Sequence, residues 1–183
     1  MTVIEDMQLV RQLKKGSTQA LRRIYDKYRD QLLKISMVLT GDRTLSEDVV
    51  QDVFTRLIQS SDRLNAYGNF RNYLITCVIN RVRTLRRDSK RHQAAEYIPQ
   101  DSSCCTENGP EYWLILNEQV QQLSEAMMQL PWEQREVIIL RFETGKGFHR
   151  IAAIQKVSVN TVRSRYRYGM EKLRALLNKE KIQ

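Results

Sequence analysis

A chain of 183 residues has room for one medium domain or two small ones, and its formal net charge of +9 makes a polyanion the default partner. Three cysteines and two distant histidines, His92 and His149, fit neither a disulfide framework nor a zinc site. With seven glycines and no phosphate-cradling loop or nucleophile elbow, no catalytic residue, metal or cofactor is expected.

Gly16 and Ser17 are placed to end a short first helix and cap a second. In that second helix Leu21, Ile24, Tyr25, Tyr28, Leu32, Ile35 and Leu39 recur at three- and four-residue steps and mark one buried stripe. Thr44, with Glu47 three residues on, fits a capping box that opens a third helix carrying Val49, Val53, Phe54 and Leu57 to the core. Asp48, Gln51, Asp52 and Thr55 line its opposite face. An acidic stripe in a basic protein does not face DNA, so it meets solvent or a protein, and composition favours solvent.

The segment "SSDRLNAYGNF" then offers Tyr67, Gly68 and Phe70, which either hold an extruded base or anchor the segment to the core. A fourth helix starts near Phe70 and turns Leu74, Cys77, Val78, Val82 and Leu85 inward. Asn72, Thr76, Asn80, Arg83 and Arg87 share a stripe on it, and Arg86, Lys90 and Arg91 extend the charge. Amides mixed with guanidinium groups can follow a nucleic-acid backbone and hydrogen-bond unstacked bases; a solvated face is the alternative.

From Gln93 to Gly109, "QAAEYIPQDSSCCTENG", the periodicity gives way to small, polar, turn-forming residues. Residues 1–92 carry a net +8, residues 93–109 a net −3 and residues 110–183 a net +4. With no alternating strand pattern, the expectation is an all-α chain of two small helical domains, 1–92 and 110–183, joined by a flexible acidic linker over 93–109. Cys104 and Cys105 in that linker are either redox-responsive or an incidental pair.

In the second domain Pro110 suits a first helical turn, and Trp113, Leu116, Val120, Leu123, Met127 and Leu130 give the next periodic run. Pro131 opens a helix with Glu133 near its positive end and Val137, Ile138 and Phe142 among its apolar residues. Gly145 to Gly147 break it, a short helix covers Phe148 to Gln155, and Ser158 caps the last one. Two helices across a tight turn, the second more basic, read as a helix-turn-helix. Val159, Val162, Tyr166, Gly169, Leu173 and Leu176 would pack inward, while Asn160, Arg163, Ser164 and Arg167 face outward with types that reach base edges and phosphates. Arg165 and Lys172 would meet phosphates or solvent.

Taken together, "SEDVVQDVF", "FRNYLITCVINRVRTLRR", "LPWEQREVIILRF" and "NTVRSRYRYGMEKLR" resemble, in order and spacing, the extracytoplasmic-function sigma factors of the bacterial sigma-70 family. The resemblance implies a promoter-specificity subunit without covalent chemistry, working in the cytoplasm with core RNA polymerase and promoter DNA, restrained by an anti-sigma factor, and not an integral membrane protein. By it Asp48, Gln51, Asp52 and Thr55 dock on the polymerase, reversing the solvated reading. Tyr67, Phe70, Asn72, Thr76, Asn80, Arg83 and Arg87 serve the minus-10 element, and Asn160, Thr161, Arg163, Ser164, Arg165 and Arg167 the minus-35 element. The linker would thread the enzyme's basic channel. The chain departs from the family pattern at Gly147, His149, Arg150 and Lys156, where a serine, two acidic residues and a glycine are common. Two rivals are a free-standing helix-turn-helix regulator, which would bind an operator unaided, and a nuclease, which would need more carboxylates than Asp48 and Asp52.

Overall fold

The computed structural model describes residues 3–64, 69–95 and 118–179. Among them every regular element is helical. The chain divides into two compact units, Met1–Ser103 and Cys104–Gln183. Tyr67, Gly68, Cys104, Cys105, Pro110, Trp113 and Leu116 lie outside the described residues.

The first unit contains α1 (Val3–Lys14), α2 (Thr18–Thr40), α3 (Arg43–Gln59), a 3-10 turn at Ser61–Arg63 and α4 (Phe70–Ala95). As the sequence predicts, Gly16 takes a left-handed φ of 81° and the Ser17 hydroxyl accepts from the Ala20 N–H at 3.3 Å. Helix α2 is the central post, packed by α1, α3 and α4, and it buries Ile24, Tyr28, Leu32, Ile35 and Leu39. Each such side chain contributes about 1.5–3 kcal/mol when fully removed from water. Tyr25 and Leu21 depart from expectation: Tyr25 is 39% exposed and Leu21 half-buried, because both line an open groove between α2 and α3.

Only two residues join α2 to α3. Gly41, left-handed at φ 72°, donates its N–H to Met37 O at 2.8 Å, and Asp42 immediately caps α3 by accepting from the Leu45 N–H at 2.9 Å. The expected Thr44–Glu47 capping box is therefore not formed. The Asp42 carboxylate reaches the orphan donors first, Thr44 falls inside the helix, and Glu47 pairs with Arg43 at 3.1 Å. Helix α4 begins at Phe70 as predicted but runs to Ala95, into the stretch expected to be linker. Leu74, Val78 and Val82 are buried, as are Ile75 and Ile79, whereas Cys77 and Leu85 stay half-buried.

The second unit contains α5 (Glu118–Met128), α6 (Trp132–Thr144), α7 (Phe148–Gln155) and α8 (Val159–Lys179). Its core joins Met127, Leu130, Trp132, Val137, Ile138, Leu140, Ile151, Val162 and Leu173. Gly169 marks where α8 crosses this core: a Cβ there would lie 3.0 Å from Ile138 Cδ1 and 3.2 Å from Gln134 Cβ. Phe142 and Leu123 are corrections to the periodic reading: they are 64% and 43% exposed.

Candidate nucleic-acid interface

In the second unit the turn before α8 comprises Lys156, Val157 and Ser158. Lys156 adopts φ 56°, a left-handed conformation normally left to glycine, and its N–H closes α7 on Ala152 O. The Ser158 hydroxyl accepts from the Thr161 N–H at 3.0 Å and lies 2.8 Å from the Thr161 hydroxyl. Val162, Gly169 and Leu173 seal the inner face of α8, so Asn160, Arg163, Ser164 and Arg167 stand together on the exposed one.

The structure distributes the six expected minus-35 residues unevenly. Thr161 is half-buried beside the cap. Arg165 turns onto α7, donating from Nη1 to Gln155 Oε1 at 2.9 Å. Arg167 donates to its neighbour's Tyr168 hydroxyl at 3.2 Å, with its guanidinium 4.9 Å from that ring's centre. Lys172 ties α8 down by donating to Gln129 O at 2.8 Å. At the start of α7, Gly147 supplies no side-chain cap, and His149 and Arg150 are exposed. Burial, with Arg150 adding to it, lowers the pKa of the nearby Lys146. The exposed Arg150 thus adds positive charge to this edge, which suits a phosphate.

In the first unit the α4 stripe holds its positions. Asn80 and Arg87 are exposed, while Asn72, Thr76 and Arg83 are half-buried. Arg83 donates to Asn80 Oδ1 at 3.1 Å, and Arg87 lies 3.7 Å from Asp88. The Thr76 hydroxyl turns back to its own helix, donating to Asn72 O at 2.7 Å. Phe70 answers the question left open by the sequence. It is 6% exposed and meets the Tyr28 ring edge-on at 5.9 Å, so its side chain packs into the core instead of presenting a face to a base. The Tyr28 hydroxyl in turn donates to Asp6 at 2.6 Å, and burial, followed by that bond, raises its pKa.

A feature the periodicity did not reveal is a cleft of about 180 Å³ between α3 and α4, lined by Val53, Arg56, Tyr73, Cys77, Asn80 and Arg81 among others. Burial pushes the Tyr73 hydroxyl up to about 12, and the neighbouring Cys77 adds to it. Burial likewise raises the Cys77 thiol.

On α3 the acidic stripe is not uniform. Asp48, Gln51 and Thr55 are exposed, but Asp52 is half-buried, with Oδ2 2.6 Å from Arg81 Nε and 3.1 Å from Arg56 Nε. Asp52 therefore cross-links α3 to α4. Beside this stripe an open groove runs between α2 and α3, floored by Leu21, Tyr25, Phe54 and Ile58, the Tyr25 and Phe54 rings 4.9 Å apart, with Arg29 and Gln51 among its polar lining. In the second unit the exposed Phe142 belongs to a comparable cluster, 6.4 Å from the Tyr166 ring, which itself lies 5.3 Å from Phe148.

Residues 24–92 match the model described as Sigma-70 region 2, and residues 126–175 match Sigma-70, region 4. The chain is 25% identical over 180 aligned residues to the ECF RNA polymerase sigma factor SigW of Bacillus subtilis, covering 92% of this chain and 94% of the relative. Its fold is similar to that of CnrH solved with the cytosolic domain of CnrY, with a TM-score of 0.64 at 23% identity, covering 96% and 98% of the two chains. It also resembles the sigma factor RpoE co-crystallised with the anti-sigma factor NepR from Bartonella quintana, with a TM-score of 0.62 at 22% identity, covering 86% and 96%. With both region models matched in order around the helices described above, the chain belongs to the sigma-70 family, in its extracytoplasmic-function class.

Proposed function

We propose that the chain directs core RNA polymerase to promoters by reading two separated DNA elements, one with each unit, and that it performs no covalent chemistry of its own. The observation that carries this reading is the exposed quartet Asn160, Arg163, Ser164 and Arg167 at the front of an α8 whose back is sealed into the core. That helix belongs to a chain in which both matched region models stand in order. Amide, hydroxyl and guanidinium groups at the start of a second helix are the groups that reach base edges in the major groove.

In this scheme α8 reads the minus-35 element. The α4 stripe of Asn72, Thr76, Asn80, Arg83 and Arg87, with the segment from Ser61 to Phe70 that includes Tyr67, serves the minus-10 element, where an unstacked base is held against the cost of extruding it. Asp48, Gln51 and Thr55, beside the apolar groove of Tyr25 and Phe54, dock on the polymerase; Asp52 contributes by fixing α3 against α4. No described helix is long and apolar enough to cross a membrane. The proposed place of action is the cytoplasm, where polymerase and DNA meet. The Bartonella quintana neighbour is bound by an anti-sigma factor, and a partner of that class is proposed here as well.

Run-off transcription with purified core polymerase tests the proposal. A promoter-dependent transcript that requires the added chain supports it. Absence of such a transcript, together with tight duplex binding by the chain alone, favours the free-standing regulator instead.

A further inference from the structure

The exposed residues of α8 can face a groove together only if the helix keeps one roll angle against its neighbours. Three polar side chains from three helices meet behind it. Gln155, the last residue of α7, donates from Nε2 to Oε2 of Glu136 on α6 at 2.6 Å, and accepts at Oε1 from Nη1 of Arg165 on α8 at 2.9 Å. Glu136 is 2% exposed, whereas Gln155 and Arg165 are half-buried. The order is a matter of polarity. A neutral amide offers a donor to the carboxylate and an acceptor to the guanidinium, so the anion and the cation are joined through one oriented group. Each bond has a charged partner, the stronger kind of hydrogen bond. Gln155 also directly precedes Lys156, the one non-glycine residue with a left-handed φ among those described, so the relay is anchored where the chain reverses.

We propose that Gln155 is a positioning residue for DNA recognition. The Glu136–Gln155–Arg165 relay locks the roll of α8 on α7, so that Asn160, Arg163, Ser164 and Arg167 present together, and Arg165 is spent on the relay instead of on DNA. This rests on α8 being the recognition helix.

The relay makes an unusual demand on substitutions. Gln155→Glu sets two carboxylates against each other. Combining it with Glu136→Gln restores the pattern, because an amide at 136 donates to the carboxylate at 155, which pairs directly with Arg165.

The test uses the full chain with core polymerase, a promoter duplex selected from a random pool by the wild-type enzyme, and the same duplex with its minus-35 element scrambled. The affinity ratio between the duplexes is measured where circular dichroism shows every variant folded. Gln155→Glu is expected to lower the ratio about tenfold, on the order of one lost base contact. The double exchange is expected to return it to within about twofold. The salt dependence of binding should not change, because the number of phosphates contacted is kept. Gln155→Met, which removes the relay without repulsion, decides the matter if Gln155→Glu fails to fold, and should also lower the ratio.

The proposal is overturned if Gln155→Met keeps the wild-type ratio, or if the double exchange does no better than Gln155→Glu. A fall of about one in the salt slope on losing the relay would also overturn it, since Arg165 would then be a phosphate contact. Arg163→Ala separates the two levels. If it leaves the ratio unchanged, α8 is not the recognition helix. If it lowers the ratio while the Gln155 variants do not, only the relay fails.

Discussion

Lys156 holds the turn between α7 and α8 in a conformation that costs a side-chain-bearing residue about 1–2 kcal/mol relative to glycine. Glycine would lose more freedom on folding, which offsets part of the gain. Lys156→Gly is therefore expected to stabilise the protein by about 0.5–1 kcal/mol, read as a rise in the urea midpoint with unchanged slope. No change, or a fall, would mean that the lysine side chain contributes something that compensates the strain. The sequence showed that glycine is absent here but not that the backbone had kept its left-handed path. Charge patterns were equally silent about Asp52, which looks like Asp48 in sequence yet meets Arg81 across a helix interface.

At the scale of elements, that pairing divides the acidic face of α3 into a docking part and a structural part. Asp52 and Arg81 are about a quarter exposed, at 29% and 26% of their side chains, and their close approach is a charge contact without hydrogen-bond geometry, so removing the carboxylate leaves a partly buried guanidinium short of a counter-charge. Asp52→Ala should cost about 1–2 kcal/mol of stability. Asp48→Ala, at an exposed site, should cost no more than about 0.5 kcal/mol. Denaturation curves measured beside core-polymerase affinity will distinguish the two. If Asp48→Ala weakens polymerase binding without moving the curve, its surface role stands; unchanged binding removes Asp48 from the docking face.

The helices themselves were legible because apolar residues at three- and four-residue steps record burial directly, as Ile24, Tyr28 and Leu32 show. Helix starts were harder. Asp42 and Thr44 both have capping chemistry, and only the left-handed Gly41 decides which of them stands at the end of the helix. Tyr25 and Phe142 were misjudged for a different reason: periodicity says which face of a helix is apolar, but not whether another element arrives to cover all of it.

For the molecule as a whole, division into two basic modules was readable from the loss of periodicity and the change of charge between them. The outward quartet on α8 was readable as well, since one face of the helix is polar and the other apolar. The relay behind that quartet was not, because its three members lie on different helices and two of them, Glu136 and Gln155, look like ordinary polar residues in sequence.

The contribution of α1 to the first unit bears on how that unit can be isolated. The region 2 match begins at residue 24, yet Leu9, Val10, Leu13 and Ala20 are all buried in the same core, and Asp6 receives the hydroxyl of buried Tyr28. The three larger side chains alone represent about 5–9 kcal/mol of burial, comparable with the whole margin of about 5–15 kcal/mol that keeps a domain folded. A fragment trimmed to residues 24–92 should therefore keep much of its far-ultraviolet helical signal while losing its cooperative melt and binding a hydrophobic dye. A sharp thermal transition in that fragment would show that the leading helix is an ornament to the domain and not one of its walls.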